Sequence, residues 1–129
     1  MNVVDSPGWI EFFLAGPNGP TFKPVIEQRD RLIVPVIALY EVHKILSRKL
    51  PAVAVNQALD VMRLGRVIEL TDRRVIAAST IAAQYKLAMA DAVMYSMALE
   101  HKARFWTPDA DYDGLPSVQY CVKSPPPWS

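Results

Sequence analysis

A single cysteine, Cys121, leaves nothing for an internal disulfide, which points to a reducing compartment and a thiol that serves as apolar packing. Histidine is as scarce. His43 and His101 are the only two, and no nucleophile-elbow motif accompanies either, so a His-rich zinc site or a Ser–His–Asp triad lacks its parts. His101 falls in the last turn of an expected helix, where the dipole is sufficient explanation, and His43 reads as a surface or packing residue. Five glycines, none in a phosphate-cradling run, exclude an NTP or dinucleotide fingerprint. Uncharged stretches such as residues 75–85 are too short to cross a bilayer, and no basic start with an apolar block marks a signal peptide. Net charge is nearly absent too. Fourteen Lys and Arg oppose thirteen Asp and Glu, giving +1, which excludes a globally basic nucleic-acid coat and an acidic disordered tail. What remains is a soluble, cytoplasmic α/β domain: 129 residues, 51% of them hydrophobic, are enough to fill one core.

The near-zero total hides a gradient. Residues 44–104 carry ten basic and five acidic groups, whereas both flanks are net acidic. Folding that joins the ends would set an acidic spot beside a basic flank; scattered solvated charge is the plainer alternative.

Hydrophobic patterning predicts strands over 1–5, 32–34, 66–70, 103–107 and 117–122, the second a continuous apolar run suited to burial on both faces. Helices are expected after Ser6 as N-cap with Pro7 at the first helical position, then over 22–28, 36–50, 53–64, 71–85 and 88–102. Strands separated by helices require right-handed crossovers and a parallel sheet. Residues 1–122 read as one domain, with a Pro-rich tail over 123–129.

Against this apolar background the informative residues are acids. Asp5 ends a strand, at the edge where parallel sheets bind ligands, although an Asx turn or a helix cap would also use it. Glu41 shares an i, i+4 row with the apolar Ile37 and Ile45, a costly place for a carboxylate unless it is paired, hydrogen-bonded or bound to a cation. Asp91 is the only charged residue over 87–99; it suits a helix cap and a ligand position alike. Asp109 follows the strand that Thr107 ends. With Asp111, Asp113 and Gly114 it imitates an EF-hand loop, but Tyr120 stands where the bidentate Glu is required, so that reading fails. Asp111 and Asp113 read as turn-forming, with Asp111 an auxiliary to the site. Acids at strand ends and helix mouths, scattered in sequence, suggest one shared site. Clustered carboxylates raise one another's pKa unless cations intervene, and Mg²⁺ or Mn²⁺ suits such hard oxygen donors. Ions so held can activate water against a phosphodiester without any Cys or His nucleophile.

At this point the chain resembles the PIN-domain ribonucleases, especially VapC-type toxins of toxin–antitoxin pairs. The resemblance rests on V-V-D-S with Trp9 close behind, on P-V-I-A-L-Y-E-V-H-K-I-L around Glu41, on L-A-M-A-D-A-V-M-Y-S-M-A-L around Asp91, and on A-R-F-W-T-P-D-A-D-Y-D-G-L-P-S-V. It runs over residues 1–122, with the four motifs in order. It implies a three-layer α/β/α sandwich with a five-stranded parallel sheet. It also implies a metal-dependent endoribonuclease: Asp5, Asp91 and Asp109 hold the principal Mg²⁺ (or Mn²⁺), and Glu41 completes the site or orients the attacking water. Thr107, Ser6 and Asp111 take supporting places. Pro7 stands where many relatives carry Ser or Thr, which removes a hydroxyl there. Implied partners are an RNA substrate, a cognate antitoxin and a second copy in a homodimer, with no membrane. The basic middle segment, including Arg48, Lys49, Arg73, Arg74 and Lys86, would engage the RNA backbone.

Two rivals stand beside this reading. One is a non-catalytic partner-binding domain that keeps a structural cation site and docks a helix on the aromatic face of Trp9, Phe12 and Phe13. The other, a receiver-like phosphoacceptor, wants paired acids after the first strand, where Asp5 is followed by Ser6 and Pro7.

Overall fold

Neighbouring strand residues point to opposite faces, so consecutive buried positions mean that both faces are covered. Val3 with Val4, and Ile33 with Val34, are such pairs. The computed structural model describes residues 1–122; the expected Pro-rich tail, 123–129, lies outside them. In chain order the elements are β1 (Asn2–Val4), α1 (Ser6–Phe13), α2 (Gly19–Glu27), β2 (Ile33–Pro35), α3 (Val36–Leu46), α4 (Ala52–Met62), β3 (Arg66–Ile68), α5 (Asp72–Tyr85), α6 (Met89–Glu100), β4 (Arg104–Thr107) and β5 (Val118–Tyr120). Single turns of 3-10 helix span Arg29–Arg31 and Ala110–Tyr112.

Every strand pairing is parallel, as the alternation of strands and helices requires. The strands form a three-stranded sheet, β1-β4-β5, and a two-stranded sheet, β2-β3. This differs from one continuous five-stranded sheet. Between β1 and β2 the ladder shrinks to an isolated bridge from Asn2 to Leu32. β2 is only three residues long and ends on Pro35, which has no N–H to extend a ladder. Elsewhere the register is regular: Val4 faces Trp106, and Thr107 faces Tyr120.

Helix α6 is the centre of the core. Every residue from Ala92 to Ala98 is buried, the pattern of a helix apolar all round. It packs on α5, α3, β2 and β4. At its side Tyr95, Phe105 and Tyr112 meet in ring contacts of 4.9–5.8 Å. The aromatic face of α1 is mostly core as well. Trp9 is 1% exposed and stacks on Phe13 at 5.7 Å, so it is not the free docking face expected from sequence. Arg74, expected to meet RNA, is held instead by both oxygens of Glu100 at 3.0–3.2 Å and by the Glu69 carbonyl at 2.8 Å. Among the described residues no helix is long and apolar enough to cross a membrane.

Gly8 lets α1 approach β1 and α2. A Cβ there would lie 2.8 Å from Val4 Cγ1 and 3.1 Å from the Phe22 ring, both buried and stiff. Gly8→Ala should therefore lower stability in urea unfolding by about 1–3 kcal/mol, the usual range for overpacking. An unchanged midpoint would show that α1 can shift freely.

Candidate functional site

Parallel strands deliver their following loops to one edge, and the predicted acids collect there. Asp5 follows β1, Thr107 ends β4, and Asp109 lies two residues beyond it. Asp91 sits in the first turn of α6, and Glu41 comes from the middle of α3. Ser6, Glu41, Asp91 and Asp109 all line one cavity of about 490 Å³. Asp5 lies beneath them, 1% exposed.

A chain of hydrogen bonds joins these groups. Asp5 Oδ1 accepts from the Ser6 amide at 2.9 Å, and Asp5 Oδ2 accepts from Thr107 Oγ1 at 2.9 Å. Asp5, not Ser6, is thus the N-cap of α1. The Ser6 hydroxyl is left free to donate to Glu41 Oε1 at 2.7 Å. On the other side Thr107 Oγ1 accepts from the Asp109 amide at 3.0 Å, and Asp109 Oδ1 accepts from the Asp111 amide at 2.9 Å. Asp109 thereby caps the 3-10 turn. Asp111 contributes only its backbone to this chain; its side chain is exposed and does not line the cavity.

Electrostatics follow from burial. Asp5 is pushed up to about 7, first by desolvation and then by the charges of Asp91 and Glu41; the Thr107 and Ser6 hydrogen bonds pull it only partly back. Asp91 is also raised, chiefly by burial and then by Glu41, Asp109 and Asp111, with the Tyr112 hydroxyl working the other way. Burial and the negative charge of Asp5 and Asp91 push the Tyr112 phenol far up, so it stays a donor.

The donors present are carboxylate and hydroxyl oxygens, and among the described residues no Lys or Arg lines the cavity to offset them. That set suits a hard divalent cation. Among the described residues, however, no three His, Cys, Asp or Glu stand close enough to hold an ion as they are. A coordination shell would have to be completed as the ion binds.

The rest of the wall is apolar. Pro7, Ile10, Ile45 and Pro108 flank the acids, and a further carboxylate, Glu11, lines the cavity from α1. Glu11 was not singled out from sequence, because it lies mid-helix rather than at a strand end or a helix mouth. Tyr112 was missed too. Its hydroxyl donates to the Asp91 carbonyl at 3.2 Å, a contact across 21 residues that no local pattern shows.

The PIN domain family model matches residues 3–117. Among solved structures, a toxin–antitoxin complex from Klebsiella pneumoniae shares 17% identity and a TM-score of 0.81, covering 96% of this chain and 100% of that one. VapC20 of Mycobacterium tuberculosis, a Sarcin-Ricin loop cleaving toxin, shares 17% identity and a TM-score of 0.71 over 88% of this chain and 92% of that one. VapBC2 of Rickettsia felis, bound to a DNA fragment from their promoter, shares 10% identity and a TM-score of 0.72 over 92% and 97%. At such identities the likeness is one of fold. No curated protein matches the chain.

The raised Asp5 makes stability depend on pH. Without metal the folded protein holds this proton more tightly than the unfolded chain, whose carboxyl titrates near 3.8. The contribution is full below about pH 4 and is lost as pH rises toward 7. Chelator-treated protein should therefore lose on the order of 4 kcal/mol between pH 4 and pH 8 in urea unfolding. Asp5→Asn should remove most of that slope; an identical slope in the variant would show that Asp5 is not the group.

Proposed function

The chain belongs to the PIN domain family, and on that premise we propose that it is a Mg²⁺- or Mn²⁺-dependent endoribonuclease, the toxin of a toxin–antitoxin pair. The observation that carries this reading is the convergence of Ser6, Glu41, Asp91 and Asp109 on one cavity above the buried Asp5. Residues 1–122 act as one catalytic unit in the cytoplasm, on an RNA substrate, with a cognate antitoxin as inhibitor and a second copy as dimer partner. The likeness in fold to toxin–antitoxin structures supports those partners.

Asp5, Asp91 and Asp109 would hold the principal ion, with Glu41 completing the site or orienting the attacking water. A divalent ion held by these residues would offset their charge and supply Lewis-acid activation of water and phosphodiester. Thr107 fixes Asp5 by its hydrogen bond, and Ser6 fixes Glu41. The apolar wall of Pro7, Ile10, Ile45 and Pro108 limits water beside the scissile group and strengthens the electrostatics of the acids.

The incomplete coordination geometry favours one rival: a partner-binding domain with a structural cation site and no turnover. One assay separates them. Purified protein freed of any partner should cleave structured RNA with added Mg²⁺ and stop on chelation. Asp5→Asn and Asp91→Asn should each lose about 100-fold or more, beyond the loss usual for a supporting neighbour. RNA or partner binding without cleavage supports the rival, and wild-type cleavage in either variant removes the assignment.

A further inference from the structure

Asp91 and Asp109 reach the cavity from different elements, and one side chain spans the gap between them. Tyr112 lies in the 3-10 turn that Asp109 caps, its amide directed at the Asp109 carbonyl at 3.3 Å. Its ring is 0% exposed and lies against Phe105 and Tyr95 at 4.9 and 5.8 Å. From there its hydroxyl donates to the Asp91 carbonyl at 3.2 Å. A phenylalanine would fill the same volume, so packing alone does not call for the oxygen. A buried hydroxyl is costly unless paired, and its partner here is the backbone that carries a site acid.

The end of α6 that bears Asp91 is packed on its apolar side but has no side-chain cap of its own. Ala88 stands at its N-cap and makes no side-chain capping bond. By contrast Asp5 caps α1, and Thr107 ties Asp5 and the Asp109 amide together. Asp91 is outside that chain of bonds, and Tyr112 is its link to the Asp109 turn.

We propose that Tyr112 is a positioning residue: its hydroxyl sets the separation of Asp91 from Asp109 across the cavity, and so the geometry in which a divalent cation is held. This inference rests on the nuclease reading. The ring keeps the fold, while the oxygen keeps the site in register. A loss of that bond lets the first turn of α6 move against the Asp109 turn, with the core unchanged.

The test uses two hydroxyl deletions in one aromatic cluster. Tyr112→Phe removes the bond to Asp91. Tyr95→Phe removes a bond of 2.6 Å to the Pro116 carbonyl, outside the cavity lining. Mn²⁺ alone is titrated by calorimetry, melting temperatures are recorded, and RNA cleavage is followed at saturating Mn²⁺. Tyr112→Phe should weaken Mn²⁺ binding about 10-fold, as expected for a group that orients a ligand. It should also lower kcat with little change in KM for RNA. Tyr95→Phe should bind Mn²⁺ as wild type does, whatever it loses in melting temperature. Equal Mn²⁺ affinity in wild type and Tyr112→Phe overturns the inference alone, as does equal weakening by both deletions. Failure of wild type to bind Mn²⁺ overturns the nuclease reading and the inference with it.

Discussion

A carboxylate excluded from water has to be held by donors, and the bond from Thr107 Oγ1 to Asp5 Oδ2 is the one on which this site depends. It joins residues 102 positions apart, just beyond the point where the β1–β4 ladder sets Val4 against Trp106. The ladder itself reaches Asp5, whose amide donates to the Trp106 carbonyl at 2.9 Å. Sheet register therefore places the two side chains, and their hydrogen bond needs no separate device to align it. From this pair the bonding runs outward in both directions, to Glu41 through Ser6 and to Asp109 through the Thr107 oxygen. Two neutral donors do not balance the desolvation of Asp5 together with the fields of Asp91 and Glu41. The edge of the sheet is thus preorganised around a negative charge that favours a cation.

Much of this was legible in the amino-acid order. Acids at strand ends, in an apolar helix row and at a helix mouth stood out against a largely apolar sequence, and Asp5, Glu41, Asp91 and Asp109 do gather where the strands end. Alternation of strands and helices required parallel pairing, which the structure has throughout. Errors came where tertiary contact outweighs local pattern. Ser6 looked like the cap of α1 because Pro7 follows it, yet the Asp5 carboxylate reaches the Ser6 amide first. Trp9 looked like an exposed ridge, since its spacing cannot tell which neighbour covers it. Tyr112 sits among turn-forming residues with no apolar period, and its partner belongs to a helix formed earlier in the chain.

Charge sorting shows a similar limit. The basic excess of the middle segment is real in composition, but Arg74 spends its guanidinium on Glu100 and the Glu69 carbonyl, tying α5 to α6. An ion pair of this kind, with Arg74 only a quarter exposed, serves the joint between two helices that pack closely. Counts of Lys and Arg along a sequence measure supply and not availability.

The lone Asn2–Leu32 bridge has a mechanical meaning. One half of the sheet carries Asp5, Thr107 and Asp109; Glu41 belongs to the helix that leaves the other half. Among the described residues the strand pairing across this seam is one isolated bridge, so backbone pairing aligns the two halves less firmly than it aligns the strands within either ladder. The Ser6–Glu41 bond is the polar rivet over the same seam. Glu41 is thus set against the β1 half by a side-chain bond, whereas the acids seated on β1 and β4 take their places from ladder register.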